Sequence, residues 1–207
     1  MTSIIASSKV YALLVFTSLT TASLSLSAQA QNTGQIPKST LSIEIDPAPF
    51  VLKGYSFSLR YSPKTLSHWS VMGSVYKSSF PNKMMKTENR DQGFRNLKFK
   101  NSYALFVDYA LRKNGKGLLF GPSVFLYNNT VQHDDATKST CFQTIYPNFR
   151  VGYTLFPIKK IGLYVTPWVN AGKEVNLDKR NQIGDVEFKT AKVKFIAALH
   201  IGYRFSF

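Results

Sequence analysis

Cysteine is almost missing from this sequence. Cys141 is the one thiol in 207 residues, so no disulfide can close within the chain. Histidine occurs three times, and no His/Cys pair has the spacing of metal ligands, which leaves no expected metal or other cofactor. Acidic residues number 11 against 26 Lys and Arg, so any partner selected by charge is anionic. Beyond the first thirty residues no long apolar run occurs, and neither a heptad, an internal repeat nor a sustained helical period is present. A coiled coil, a helical repeat and a helical membrane span are thereby excluded. Gly115-Lys116-Gly117 lacks the strand–loop–helix frame of a phosphate-binding loop.

What is present begins with MTSIIASSKVYALLVFTSLTTASLSLSAQA. One Lys precedes the apolar run Val10 to Leu19, and Ala28-Gln29-Ala30 offers small residues for cleavage. A signal peptide over 1–30, cleaved after Ala30, is the reading. The competing one, a retained anchor, meets a run that is short and interrupted by Thr and Ser. Residues 31–39 then form a short linker and 40–207 one domain. Loss of Lys9 leaves a formal charge of about +14. Export argues against nucleic acid and for an anionic membrane surface, lipopolysaccharide phosphates included, or for simple solubility of loops. An exported chain without disulfides suits a bacterial envelope.

The remainder alternates. Leu41 to Asp46, Tyr55 to Tyr61, His68 to Tyr76, Ser102 to Arg112, 118–130, Thr144 to Leu155, Ile161 to Gly172 and Phe195 to Phe207 read as strands, most of them apolar on one parity and polar on the other. Their connections alternate too: short at 63–67, 113–117 and 156–160, long at 79–96, 131–140 and 173–187. The exception among the outer links is Pro47-Ala48-Pro49, an unusually short one. Short turns at one end and long loops at the other are the mark of an outer-membrane barrel, and an even strand count closes it. The expected fold is all-β: an eight-stranded antiparallel up-and-down transmembrane β-barrel.

The signal peptide, the loop alternation and the aromatic C-terminus resemble those of small eight-stranded outer-membrane barrels. GLYVTPWVNAG and HIGYRFSF are similar to a family of uncharacterised small barrels from Bacteroidota. The resemblance implies outer-membrane localisation, contact with outer-membrane lipid, and recognition of Tyr203, Phe205 and Phe207 by the barrel-assembly machinery. It implies no activity.

Inward parity places Glu44, Arg60, Asp108, Arg150 and Arg204 together at similar depth, as a polar plug that Tyr146 or Tyr164 could complete. Lys83, Lys86, Arg90 and Arg95 make the stretch from Ser79 to Asn96 the basic outer loop. For catalysis, His133-Asp134-Asp135 in an outer loop is the sharpest candidate, but no second carboxylate pair accompanies it. His68 and His200 are expected to point inward as hydrogen-bonded lumen residues, Cys141 to be a packed strand residue, and Met84-Met85 to pack within the loop or to meet a partner. No residue is assigned a catalytic role. The function expected is a non-enzymatic barrel with a filled lumen, serving envelope structure or surface interaction. The alternatives are a conduit for small or hydrophobic solutes and, third, a lipid-modifying enzyme or protease. Oligomeric state is not specified by the sequence.

Overall fold

The computed structural model describes residues 38–207 except 114, 136–138, 159–160, 179, 184 and 192. The expected signal peptide and most of the linker lie outside the described residues. Eight strands form the wall: β1 (Thr40–Ile45), β2 (Tyr55–Ser62), β3 (Trp69–Ser79), β4 (Phe94–Ala110), β5 (Gly117–His133), β6 (Thr140–Thr154), β7 (Leu163–Gly172) and, last in the chain, β11 (Lys194–Ser206). Three two-residue strands, β8 (Val175–Asn176), β9 (Gln182–Ile183) and β10 (Val186–Glu187), lie in the loop before β11. Each wall strand pairs antiparallel with its sequence neighbour, and β1 pairs with β11, so the sheet closes with no open edge.

Closure follows from the period of two. Side chains alternate between wall faces, and here the outward set is apolar around the ring: Ile43, Leu59, Val71, Leu105, Phe149, Val169 and Leu199 are all exposed. Along β6 every outward residue from Ile145 to Tyr153 is apolar. Nine residues at roughly 3.3 Å each, tilted by about 40°, make a band about 20–23 Å tall, close to the lipid-facing height of such barrels. Aromatics rim its lower edge, where Trp69 meets Tyr109 and Tyr203 meets Phe205. The inward set carries Ser, Thr, Asn, Arg and acids. That polarity, apolar outside and polar inside, is that of a barrel standing in lipid.

Both termini of the barrel and the turns 63–68, 111–116 and 155–162 share one end. The other end carries the connections 46–54, 80–93 and 173–193, which are longer, but the long loop expected at 131–140 is only 134–139, no longer than the turns, because β5 and β6 stay paired as far as Val131↔Thr140. There β4, β5 and β6 run for 17, 17 and 15 residues, beyond the roughly nine to eleven that span lipid. These extensions correct two sequence boundaries. Arg95 belongs to β4 and His133 to β5, because pairing continues past the membrane as Phe94↔His133 and Arg95↔Gln132. The link written as Pro47-Ala48-Pro49 is a one-turn helix, Pro47–Val51, whose Asp46 side chain accepts from the Ala48 amide at 2.9 Å.

Candidate functional site

The lumen is filled in tiers. Nearest the turn end, Glu44, Arg60, Asp108, Arg150 and His200 are buried on five different strands. Glu44 Oε1 accepts from Arg60 Nε at 2.5 Å and from the Tyr164 hydroxyl at 2.6 Å; His200 Nδ1 lies 2.8 Å from Oε2. Asp108 accepts from Arg60 Nη1 at 2.5 Å, from Arg150 Nε at 2.7 Å and from Arg150 Nη2. Arg60 thus bridges the two carboxylates, and its remaining donors reach Ser70 Oγ at 2.8 Å and Met72 Sδ at 3.2 Å. Two acids and two guanidiniums balance in charge, as a buried cluster must.

Backbone register sets this meeting. Glu44 lies opposite Gly202 on β11, and a Cβ at Gly202 would stand 2.4 Å from Tyr164 Cζ and 2.9 Å from Glu44 Cγ. The bare backbone there is what lets the tyrosine lie over the carboxylate. Arg204, paired with Ser42 and so nearer the turn end, places its guanidinium over the rings of Phe156 and Tyr164. It stacks beneath the tier. The space between Arg60, His68, Asp108, Tyr164 and Arg204 is about 20 Å³, room for a single water.

Above the ions sits an aromatic tier of Met72, Phe106, Phe125, Tyr127, Tyr146 and Trp168. The Arg150 guanidinium lies 4.1 Å from the Phe106 ring centre, so the cation meets the π face where the carboxylates end. Higher still, Lys194 Nζ lies 3.3 Å from Glu174 Oε2 and 4.2 Å from the Tyr127 ring, while Tyr146 donates to Asn170 Oδ1. An apolar cap of Met85, Phe94, Leu97, Val131, Phe142 and Phe188 closes the loop end.

Of the five residues expected at one depth, Glu44, Arg60, Asp108 and Arg150 meet in one cluster; Arg204 departs from that expectation and lies nearer the turn end, because its β1 partner is Ser42 and not Glu44. Sequence parity also misjudged the next tier. It passed over the Lys194–Glu174 pair. Lys194 carried a signal, since it continues the inward parity of β11 above Ile196; Glu174 lies past the end of β7, where no period applies. Tyr164, offered as one of two completing hydroxyls, joins Glu44, while Tyr146 serves the tier above.

The loop candidates disperse. Lys83 is exposed in a single turn of 3₁₀ helix. Lys86 donates to the Thr190 carbonyl at 2.7 Å, Arg90 donates to Thr87 Oγ1 at 3.0 Å, and Arg95 pairs with Asp134. From the 173–193 connection Lys189 donates to Glu88 of this loop, which holds that carboxyl below its usual range. His133 is buried at a strand end with Nε2 2.6 Å from the Gln92 carbonyl and Nδ1 3.8 Å from Asp135 Oδ2, whereas Asp134 and Asp135 are exposed and Asp134 pairs with Arg95. Cys141 is exposed, contrary to expectation, because it sits on the outward parity of β6. Met85 belongs to the cap and Met84 is exposed. His68 stacks on Tyr109 with Nδ1 2.8 Å from the Ala110 carbonyl. Tyr203, Phe205 and Phe207 all face outward, and the Phe207 amide donates to the Ser39 carbonyl at 3.0 Å. Among the described residues no group of three His, Cys, Asp or Glu could hold a metal ion.

No protein-family model and no curated sequence matches the chain. Among solved structures, the N-terminal β-barrel domain of Pseudomonas aeruginosa OprF is similar at 11% identity, with 82% of this chain and 98% of that one covered and a TM-score of 0.45. A major outer membrane protein of Thermus thermophilus is similar at 11%, over 81% and 99%, with a TM-score of 0.42. The Yersinia pestis outer membrane protein Ail is similar at 14%, over 82% and 99%, with a TM-score of 0.38. These are likenesses of shape.

Proposed function

We propose that this chain is a non-enzymatic barrel of the bacterial outer membrane, closed through its lumen and acting at the envelope surface. The observation that carries the reading is the lumen itself. Ionic, aromatic and apolar tiers fill it from the turn end to the loop end, and an eight-stranded wall leaves width for little more than side chains. Outer-membrane placement rests on the apolar exterior band, and on the grouping of the two longest connections, 80–93 and 173–193, at the end opposite the turns. The likeness of GLYVTPWVNAG and HIGYRFSF to small Bacteroidota barrels supports it, as does the N-terminal sequence for export. The basic loop end then faces the outer leaflet, whose anionic groups are its natural contact, and assembly proceeds through the aromatic last strand. Refolded protein in planar bilayers tests the closed lumen: the expected record is flat, and reproducible stepwise conductance would refute it.

One observation favours a second reading, a lateral path for hydrophobic solutes. The β6–β7 ladder runs continuously from Asn148↔Gly172 to Gly152↔Trp168, with Pro147 and Pro167 just outside its two ends; pairing resumes past Pro167 as the Leu155↔Val165 bridge and past Pro147 as the short β6–β8 ladder. Proline supplies no amide donor, so this is a thin seam of the wall. Uptake of an apolar dye into vesicles, compared with and without the barrel, separates the two readings.

A further inference from the structure

On the outer wall of β2 to β5, just above the apolar band, an open groove of about 840 Å³ is lined by Lys53, Lys77, Lys98 and Lys100, with Asn101, Asn128 and Tyr103 among the other lining residues. The geometry points to a binding site for a phosphorylated lipid headgroup, its acyl chains lying down the wall beneath. This deepens the surface reading and rests on the loop end facing the outer leaflet.

The lysines are there by construction. On β4 the outward positions Tyr109, Val107, Leu105, Tyr103 and Asn101 are odd. Continued unbroken, that phase would turn Phe99 to the outside and Lys98 and Lys100 inward. A register shift between Phe99 and Tyr103 against β5 reverses it. Lys98 and Lys100 become exposed, while Phe99 turns in and lies 4.9 Å from the Tyr127 ring. A bulge re-aims side chains in this way, and here it brings out two cations for one aromatic. On β3, Lys77 stands one outward step above Val75, next to a second shift between Tyr76 and Ser78. Lys53 adopts φ 57°, a left-handed conformation strained for a residue with a Cβ. The turn is held there because Ser79 donates to the Leu52 carbonyl at 2.9 Å, and a Cβ at Gly54 would fall 1.8 Å from the Lys77 carbonyl oxygen.

The charges converge without compensation. Among the described residues none of the four lysines has an acidic partner; Lys100 Nζ lies 3.8 Å from Cys141 Sγ. The basic loop differs, since Arg95, Lys86 and Arg90 are held by Asp134, Thr190 and Thr87. The height of the groove selects a lipid over a soluble anion. Tyr103 pairs with Val75 and Leu126, so the groove opens at the top rung of the lipid-facing band. Lysine stems can lie along that apolar edge with their ammonium groups at headgroup level.

The test uses the full barrel refolded in detergent micelles, with Lys53, Lys77, Lys98 and Lys100 all changed to Gln. A control of equal charge changes Lys38, Lys64, Arg112 and Lys113 at the turn end. Binding is titrated with phosphorylated lipid A, with the same glycolipid after dephosphorylation, and with inorganic phosphate as competitor. We expect the groove variant to bind the phosphorylated lipid at least about tenfold more weakly, with the control within about twofold of the parent. The dephosphorylated lipid should bind the parent as weakly as the groove variant. Equal losses in both variants, or none in either, overturns the proposal. Full competition by phosphate at concentrations equal to the lipid overturns the lipid assignment in favour of a free-anion site. Heat-modifiable migration of every variant on gels keeps failure here distinct from failure of the barrel reading.

Discussion

Asp108→Ala is the sharpest perturbation of the lumen. The carboxylate is 1% exposed and accepts three hydrogen bonds from two guanidiniums. Removing it leaves the two cations unequally placed. Arg60 keeps Glu44, Ser70 and Met72 as partners, whereas Arg150 retains no carboxylate within bonding distance and only the faces of Phe106 and Trp168. Breaking a buried pair by deleting one side costs about 3–5 kcal/mol, chiefly because the remaining charge stays desolvated. At 2–4 °C per kcal/mol for a chain of this length, melting should fall by roughly 6–20 °C. Asp91→Ala is the control: Asp91 is exposed in the outer loop, and such a site shifts stability by about 0.5 kcal/mol or less. Urea titration and thermal melts of barrels refolded in lipid vesicles, followed by gel mobility and circular dichroism, give both numbers. A double variant, Asp108→Leu with Arg150→Met, removes the stranded cation as well and should recover about 1–3 kcal/mol relative to additivity. If Asp108→Ala costs no more than Asp91→Ala, the ionic tier does not hold the lumen and the reasoning fails.

Three further outcomes are expected. Deleting Phe207, or changing it to Asp, removes the terminal aromatic of the last strand and should lower the heat-modifiable barrel found in outer-membrane fractions; an unchanged yield would dissociate that residue from assembly. Gly202→Ala should destabilise by about 1–3 kcal/mol, as overpacking does, because its methyl enters the space of Tyr164 and Glu44; a melt identical to the parent would show that the tyrosine moves aside freely. In the loops, Asn89 holds Lys189 through both amide and carbonyl, at 2.8 and 3.0 Å, so Asn89→Ala should raise amide exchange in 80–93 at every pH. The Glu88–Lys189 contact behaves otherwise. Its carboxyl is depressed by the Lys189 hydrogen bond, so its contribution is present above the ordinary carboxylate range and is lost as pH falls through the lowered value. Exchange that rises sharply on acidification even with Asn89 intact would mean that the carboxylate, not the amide clamp, ties the loops together.

Strand number, closure and the meeting of Glu44, Arg60, Asp108 and Arg150 were legible because one rule, alternation between two faces, governs the wall between turn end and band edge. The rule lapses where the strands leave the membrane. There the β4 bulges reverse the phase, so Lys98 and Lys100, inward by simple parity, are outside. Long extensions of β4 and β5 took Arg95 and His133 out of the loops, since outside lipid no change in side-chain polarity marks where pairing stops. Glu174 and Phe188 reach the lumen and its cap from the 173–193 connection, far in sequence from most of the strands they meet and with no local period to announce them. Gly202 carried its information as an absence of side chain, visible only once Tyr164 is seen beside it.

The placement of charge bears on what such a barrel can do. Its sequence is strongly basic, and a lumen lined with unneutralised arginine or lysine would favour anion passage. In the described lumen Arg60 and Arg150 are instead matched by Glu44 and Asp108, and Lys194 by Glu174, while Arg204 lies against the Phe156 and Tyr164 rings near the turn end. An eight-stranded interior without bulk water requires that matching, because an unpaired cation there has no solvent to hold it. The lysines left without acids stand outside, at the rim, where water and headgroups solvate them at little cost. Wall and lumen therefore answer different demands. Compensated charges inside fix the eight strands against one another, and uncompensated charges outside remain available to whatever anion the leaflet presents. A chain selected to pass anions would place its surplus the other way round.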